Sequence, residues 1–125
     1  LDGGAADSIP WQRALEQGCE RVLVVLTRPR SYRRKPDQMI RLIRKQYKQY
    51  PKFVRAMETR AERYNQNRKQ LFEMEREGKL MVIAPQSTLG VGRIERDTEK
   101  LRLLWAEGYQ MTVDRMDEIR AYLGK

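Results

Sequence analysis

The 125 residues carry a net charge of +9, with one cysteine and no histidine. Histidine-dependent triads, HExxH sites and imidazole zinc ligation are thereby excluded, and one thiol makes neither an internal disulfide nor a thiolate cluster. No apolar run approaches the ~20 residues that span a bilayer, while a chain of this length can bury a real core.

The chain opens Leu1-Asp2-Gly3-Gly4 and continues through a polar stretch to Pro10. An apolar residue followed by Asp-Gly-Gly predicts a strand end passing into a tight turn, where Gly3 and Gly4 take backbone angles closed to other residues. Asp2 then sits at the carboxyl end of a strand, where open α/β sheets gather their chemistry. Asp7 or Ser8 is expected to cap a short helix with Pro10 in its first turn. That helix runs through Trp11, Ala14 and Leu15 and stops at Gly18. Cys19 reads as a small buried apolar residue. Arg21 to Thr27 follow as a continuous apolar run rich in β-branched residues, which predicts a strand covered on both faces, as in a parallel sheet.

A basic loop, Arg28 to Pro36, leads to a helix from Pro36-Asp37. Ile40, Ile43 and Tyr47 recur on it at helical spacing, flanked by Arg41, Arg44, Lys45 and Lys48. Tyr50-Pro51 should break it, because the residue before proline is pushed out of helical angles. A longer helix is predicted from Pro51 to about Glu77, with Val54, Met57, Ala61, Tyr64, Leu71 and Met74 as its apolar stripe and Gly78 as its end. Leu80 to Pro85 form the second strand. Gly90-Val91-Gly92 lacks both GxGxxG spacing and the Walker lysine, and reads as a turn. Asp97 caps a helix through Leu101, Leu104 and Trp105 to Gly108, and a last amphipathic helix uses Met111 or Thr112, Met116, Ile119 and Leu123.

Two apolar strands joined by a long helical crossover make this an α/β chain with parallel pairing and a right-handed connection. Residues 1–85 read as the α/β part with its helical crossover, and 86–125 as a C-terminal helical segment. Two strands alone leave bare edges and uncovered faces. Completion of the sheet is expected from residues preceding the chain or from a second copy.

The charge is local. Residues 28–55 hold eleven basic residues and a single acid, Asp37, which points to an anionic partner at that surface rather than to a generally cationic protein. Arg28, Arg30, Arg33, Arg34 and Lys35, with Tyr32 among them, form either a solvated connector or a patch facing an anionic membrane, where each cation is worth about 1 kcal/mol. The same arginines could pair with acids outside the chain. A nucleic-acid-binding module is the competing reading. No zinc finger, RNA-recognition aromatic signature or clear helix-turn-helix accompanies the charge, so no nucleic acid is expected as partner.

Asp-Gly-Gly, the short helix with an early proline, Val22-Leu23-Val24-Val25-Leu26-Thr27, Arg28-Pro29-Arg30, a helical pair, the second strand, Val91-Gly92-Arg93 and two closing helices follow one another in that order. The order resembles the C-terminal half of bacterial patatin-like phospholipases over nearly the whole chain. The resemblance implies a partial three-layer patatin-like fold and a lipid acyl hydrolase with a Ser-Asp dyad. Asp2 would take the catalytic acid's place, accepting the serine proton as histidine does in a triad, and Gly3 and Gly4 would shape its turn. The family's nucleophile stands in a Gly-x-Ser-x-Gly elbow. Ser8, Ser31 and Ser87 have no such context here, so the serine and the oxyanion loop are expected upstream, and this chain alone should be inactive. A lipid or ester substrate, no cofactor, no metal and a cytoplasmic, membrane-peripheral location complete what the resemblance implies.

Overall fold

The structure, a computed structural model, describes residues 3–92 and 94–124. Its contacts divide the chain into two units, Leu1–Cys19 with Arg33–Arg76, and Glu20–Tyr32 with Glu77–Lys125.

The first unit is helical: α1 (Gly3–Ala6), α2 (Trp11–Glu16), α3 (Ile40–Gln46), α4 (Pro51–Glu58) and α5 (Arg60–Arg76). Gly3 and Gly4 lie in α1 rather than in an open turn, and the Asp7 N–H closes that helix on the Gly3 carbonyl at 2.8 Å. Pro10 stands before α2 as its N-cap, so neither Asp7 nor Ser8 caps it. Both side chains have local partners instead. Asp7 Oδ1 accepts from the Ile9 N–H at 3.3 Å, and Ser8 Oγ donates to the Gly4 carbonyl at 2.7 Å. Gly18 ends the α2 region in a left-handed conformation, φ +84°. The turn it makes leaves Cys19 exposed rather than buried.

α3 starts later than its sequence suggests. Asp37 Oδ1 accepts the Met39 N–H at 2.9 Å, an Asx turn that holds the backbone out of the helix for a few residues. Tyr50-Pro51 separates α3 from α4 as expected, with Pro51 in the first turn of α4. The predicted long helix is divided at Thr59, whose hydroxyl and N–H both donate to the Arg55 carbonyl, at 3.0 and 3.1 Å, the back-bonding that often bends helices. Ile9, Trp11, Val54, Ala61 and Leu71 are buried in this unit, together with one charged residue, Arg68.

The second unit holds β1 (Leu23–Val25), β2 (Met81–Ile83), α6 (Thr98–Asp114) and α7 (Met116–Leu123). β1 and β2 pair in parallel, Val24 opposite Val82. Met81, Ile83 and Ile119 form the centre of its core, with Leu23, Met111, Tyr122 and Leu123 packed around them. Tyr122 also ties α7 to β1, its Oη accepting the Val22 N–H at 3.0 Å.

The apolar run of β1 is not covered on both faces, because Val25 is 67% exposed in this chain. The outer side of β2 is not bare either. The Met81 N–H and the Ile83 carbonyl bond toward β1, so the intervening Val82 carbonyl faces away from it. That carbonyl accepts from Arg115 Nη1 at 3.1 Å and Arg30 Nη2 at 3.3 Å.

Asp97 caps α6 as its sequence predicts, Oδ1 accepting from the N–H groups of Glu99 and Lys100 at 3.0 and 3.2 Å. α6 then continues through Gly108 to Asp114. A glycine inside a helix costs only about 1 kcal/mol, which an otherwise unbroken ladder tolerates. The chain turns instead at Arg115, which serves both as C-cap of α6 and as N-cap of α7.

Candidate functional site

Asp2 lies outside the described residues. The backbone from Gly4 onward is held at several points. The Gly4 carbonyl accepts from Arg60 Nη2 at 2.9 Å, so the first side chain of α5 holds the second glycine of the pair. Two turns along the same helix, Asn67 serves the next stretch. Its Oδ1 accepts from Trp11 Nε1 at 2.9 Å, and its Nδ2 donates to the Ile9 carbonyl at 3.3 Å and to Gln12 Oε1 at 3.4 Å. Gln12 Nε2 in turn donates to Gln70 Oε1 at 3.1 Å. Arg60, Asn67 and Gln70 project from α5 at helical spacing, which is why one helix holds residues 4–12 along their length.

An open pocket of about 570 Å³ lies against this contact, with Asp7, Ser8, Gln12, Arg60 and Asn67 in its wall. Residues bearing carboxylate, hydroxyl, amide and guanidinium groups line it together with Ile9 and Tyr64, and it is open to solvent. Ser8 lies there without a general base among its hydrogen-bond partners, its hydroxyl donating to a carbonyl. Ser87 Oγ accepts from the Leu89 N–H at 3.1 Å, and Ser31 is exposed. Among the described residues, the hydrogen bonds of Ser8 and Ser87 run to backbone groups.

The basic loop divides between the units. Arg28 and Arg30 belong to the second unit, Arg33, Arg34 and Lys35 to the first. Arg28 stacks over the Tyr32 ring at 5.4 Å, and Arg30 bonds the Val82 carbonyl. Arg34 stacks over Tyr64 at 5.1 Å while its N–H and carbonyl bond Asn65 at 2.8 and 3.0 Å. Arg28, Arg30 and Arg34 thus touch this chain's own groups. Arg33 and Lys35 are exposed.

Three contributors escape sequence reading. Arg60 and Asn67 look like ordinary residues of a solvated helix face, because their partners lie far back along the chain, Gly4 for one and Ile9 to Gln12 for the other. Arg68 is 1% exposed and lies between the rings of Tyr64 and Phe72, at 5.8 and 5.2 Å. A trace of it is present in the sequence: the stripe 54, 57, 61, 64, 71 omits one helical step, and Arg68 fills it.

In the second unit, Arg115 grips Glu118 through Nε and Nη2 at 2.7 and 2.8 Å, and this hydrogen bonding holds the Glu118 carboxyl below its ordinary range. Glu95 is lowered as well, by the N–H groups of Asp97 and Arg96. Among the described residues no cluster of acidic or thiol side chains could hold a metal ion. Among them, too, no helix is long and apolar enough to cross a membrane.

A family model described as a domain of unknown function, DUF6363, matches residues 50–124. The chain belongs to that family. The DUF6363 segment takes in α4, α5, β2, α6 and α7, and so includes Arg60, Asn67 and Gln70; the residues they hold, and β1, precede it. No curated protein and no solved structure matches the chain.

Proposed function

We infer that this chain is the C-terminal part of a patatin-like lipid acyl hydrolase, with Asp2 as the acid of a Ser-Asp dyad and a patatin-like three-layer sheet completed by residues upstream. In this reading Asp2 takes the proton of an upstream serine, the serine oxygen attacks the ester carbonyl, and the alcohol leaves carrying that proton. Water then releases the acid from the acyl-serine. A base of this kind contributes roughly 10²- to 10⁴-fold, provided it is held in position.

The observation that carries the reading is the anchoring of the backbone from Gly4 to Gln12. Arg60 holds the Gly4 carbonyl and Asn67 holds Ile9 and Trp11, so the backbone just beyond Asp2 is tied to a long helix. The order of elements, with parallel strands on either side of a helical crossover, supports it further. A phospholipase of this design works at the cytoplasmic surface of a membrane and needs no cofactor.

The test is Asp2→Asn in the full product of the gene, assayed on a phospholipid and on a soluble ester. Loss of at least about a hundredfold in kcat with KM unchanged is expected, while Asp7→Asn retains activity. Full activity of Asp2→Asn, or an upstream sequence without a Gly-x-Ser-x-Gly elbow, ends the reading.

A further inference from the structure

Between Gln38 and Met57 the chain carries Arg41, Arg44, Lys45, Lys48, Lys52 and Arg55 and no acid at all. This stretch is α3, the Tyr47–Tyr50 turn and most of α4, all within the first unit. One cation is neutralised: Arg44 Nε bonds Glu58 Oε1 at 2.9 Å. Arg41, Lys45, Lys48, Lys52 and Arg55 make no ion pair with the described residues.

The apolar side chains of the stretch are divided between two faces. Half-buried Ile40 and Ile43, the edge-on contact of Tyr47 with Phe53 at 5.1 Å and the Arg44–Glu58 pair seat α3 against α4. Met39 and Leu42, one helical step apart, point elsewhere and are 58% and 50% exposed. Lys45 follows Leu42 by three residues and Arg41 by four, so cations border the exposed aliphatic pair along the helix. Tyr50, 59% exposed, lies beyond the turn beside Lys48 and Lys52.

We propose that α3 and the turn after it form a docking surface for anionic lipid, lying flat at the headgroup level with Met39 and Leu42 inserted and Arg41, Lys45, Lys48 and Lys52 on the phosphates. A short helix with cations flanking an aliphatic face, and a tyrosine at its margin, has the makeup of an interfacial segment. Attraction of cations to an anionic leaflet is roughly additive near its surface. A polynucleotide would satisfy the cations, but its phosphates offer nothing to Met39 and Leu42, and those two residues favour the lipid. The segment follows the basic loop of residues 28–35 in the sequence, and the proposal does not depend on Asp2 or on ester cleavage.

The experiment is co-sedimentation of the 125-residue chain with vesicles of phosphatidylcholine, with and without phosphatidylglycerol, beside binding to a mixed-sequence RNA. Partition onto the anionic vesicles is expected, falling steeply with salt. The triple change R41Q, K45Q, K48Q should weaken it by about a hundredfold. The pair M39Q, L42Q keeps every charge and should weaken it by about tenfold while leaving RNA binding unchanged. All changed residues are exposed, and circular dichroism of each variant checks that it folds. No partition at low ionic strength overturns the proposal, as does indifference to either variant or tighter binding to RNA than to the anionic vesicles. Since partition is read without turnover, an inactive parent enzyme leaves the proposal standing, and failed partition leaves the hydrolase reading to its own test.

Discussion

Arg68 stands where the helical stripe of α5 calls for an aliphatic residue, and the consequences are those of a guanidinium in a core. Its plane is flanked by Tyr64 one turn before and Phe72 one turn after, so the charge faces ring quadrupoles rather than water. Arg68→Ala removes a large buried side chain and should cost about 3 kcal/mol, from the cavity and from the groups left without it. Arg68→Leu refills the volume and should cost less than half of that, with urea unfolding as the measurement. At this scale the sequence is legible for residues whose chemistry and position agree. Val54, Ala61 and Leu71 fall on the expected stripe and are buried. Arg68, Arg60 and Asn67 are illegible because their type signals solvent, and only the folded surroundings reverse the signal.

Among the elements, the punctuation was the readable part. Asp97 caps α6, Tyr50-Pro51 parts α3 from α4, and Gly78 adopts φ +72° beyond α5, each for a reason internal to a few residues. Starts and continuations are harder to place, since Asp37 makes an Asx turn where the sequence starts a helix and Gly108 yields to the ladder around it. The corner between α6 and α7 lies at Arg115 rather than at Gly108, where the sequence places it, and its grip is electrostatic. Because Arg115 lowers the Glu118 carboxyl in the folded state, its stabilisation is complete above the ordinary value near 4.5 and is lost as pH falls through the lower folded one. Glu118→Gln should therefore lower the urea midpoint at pH 7, and the difference from the unaltered chain should close on acidification below that range. A difference that persisted at low pH would assign the effect to packing rather than charge. Both groups are partly solvated, so the effect should also shrink in high salt.

Across the molecule, each unit is assembled from two stretches that are far apart in sequence. β1 finds β2 only after the chain has passed through α3, α4 and α5, and Trp11 finds Asn67 over a separation of 56 residues. Such contacts carry loop-closure costs that local helices do not. The family match at 50–124 begins inside the first unit and leaves out both β1 and Trp11. A shortened chain of residues 50–125 should therefore keep helical circular dichroism but unfold with a smaller urea dependence than the 125-residue chain, having less surface to expose. An equally steep transition would mean that the matched segment is complete in itself. The parallel pairing was legible at this scale from two apolar runs and the length between them. The interleaving of the two units was not, because nothing local records which distant segment a strand or tryptophan will meet.

The doubly bonded Val82 carbonyl has a further effect on association. Strand invasion along that flank of β2 would have to evict two guanidinium donors, Arg30 and Arg115, and leave their charges against an incoming backbone. Domain-swapped or fibrillar stacking is thereby discouraged on one side, so that any runaway self-association of the sheet would be steered toward β1.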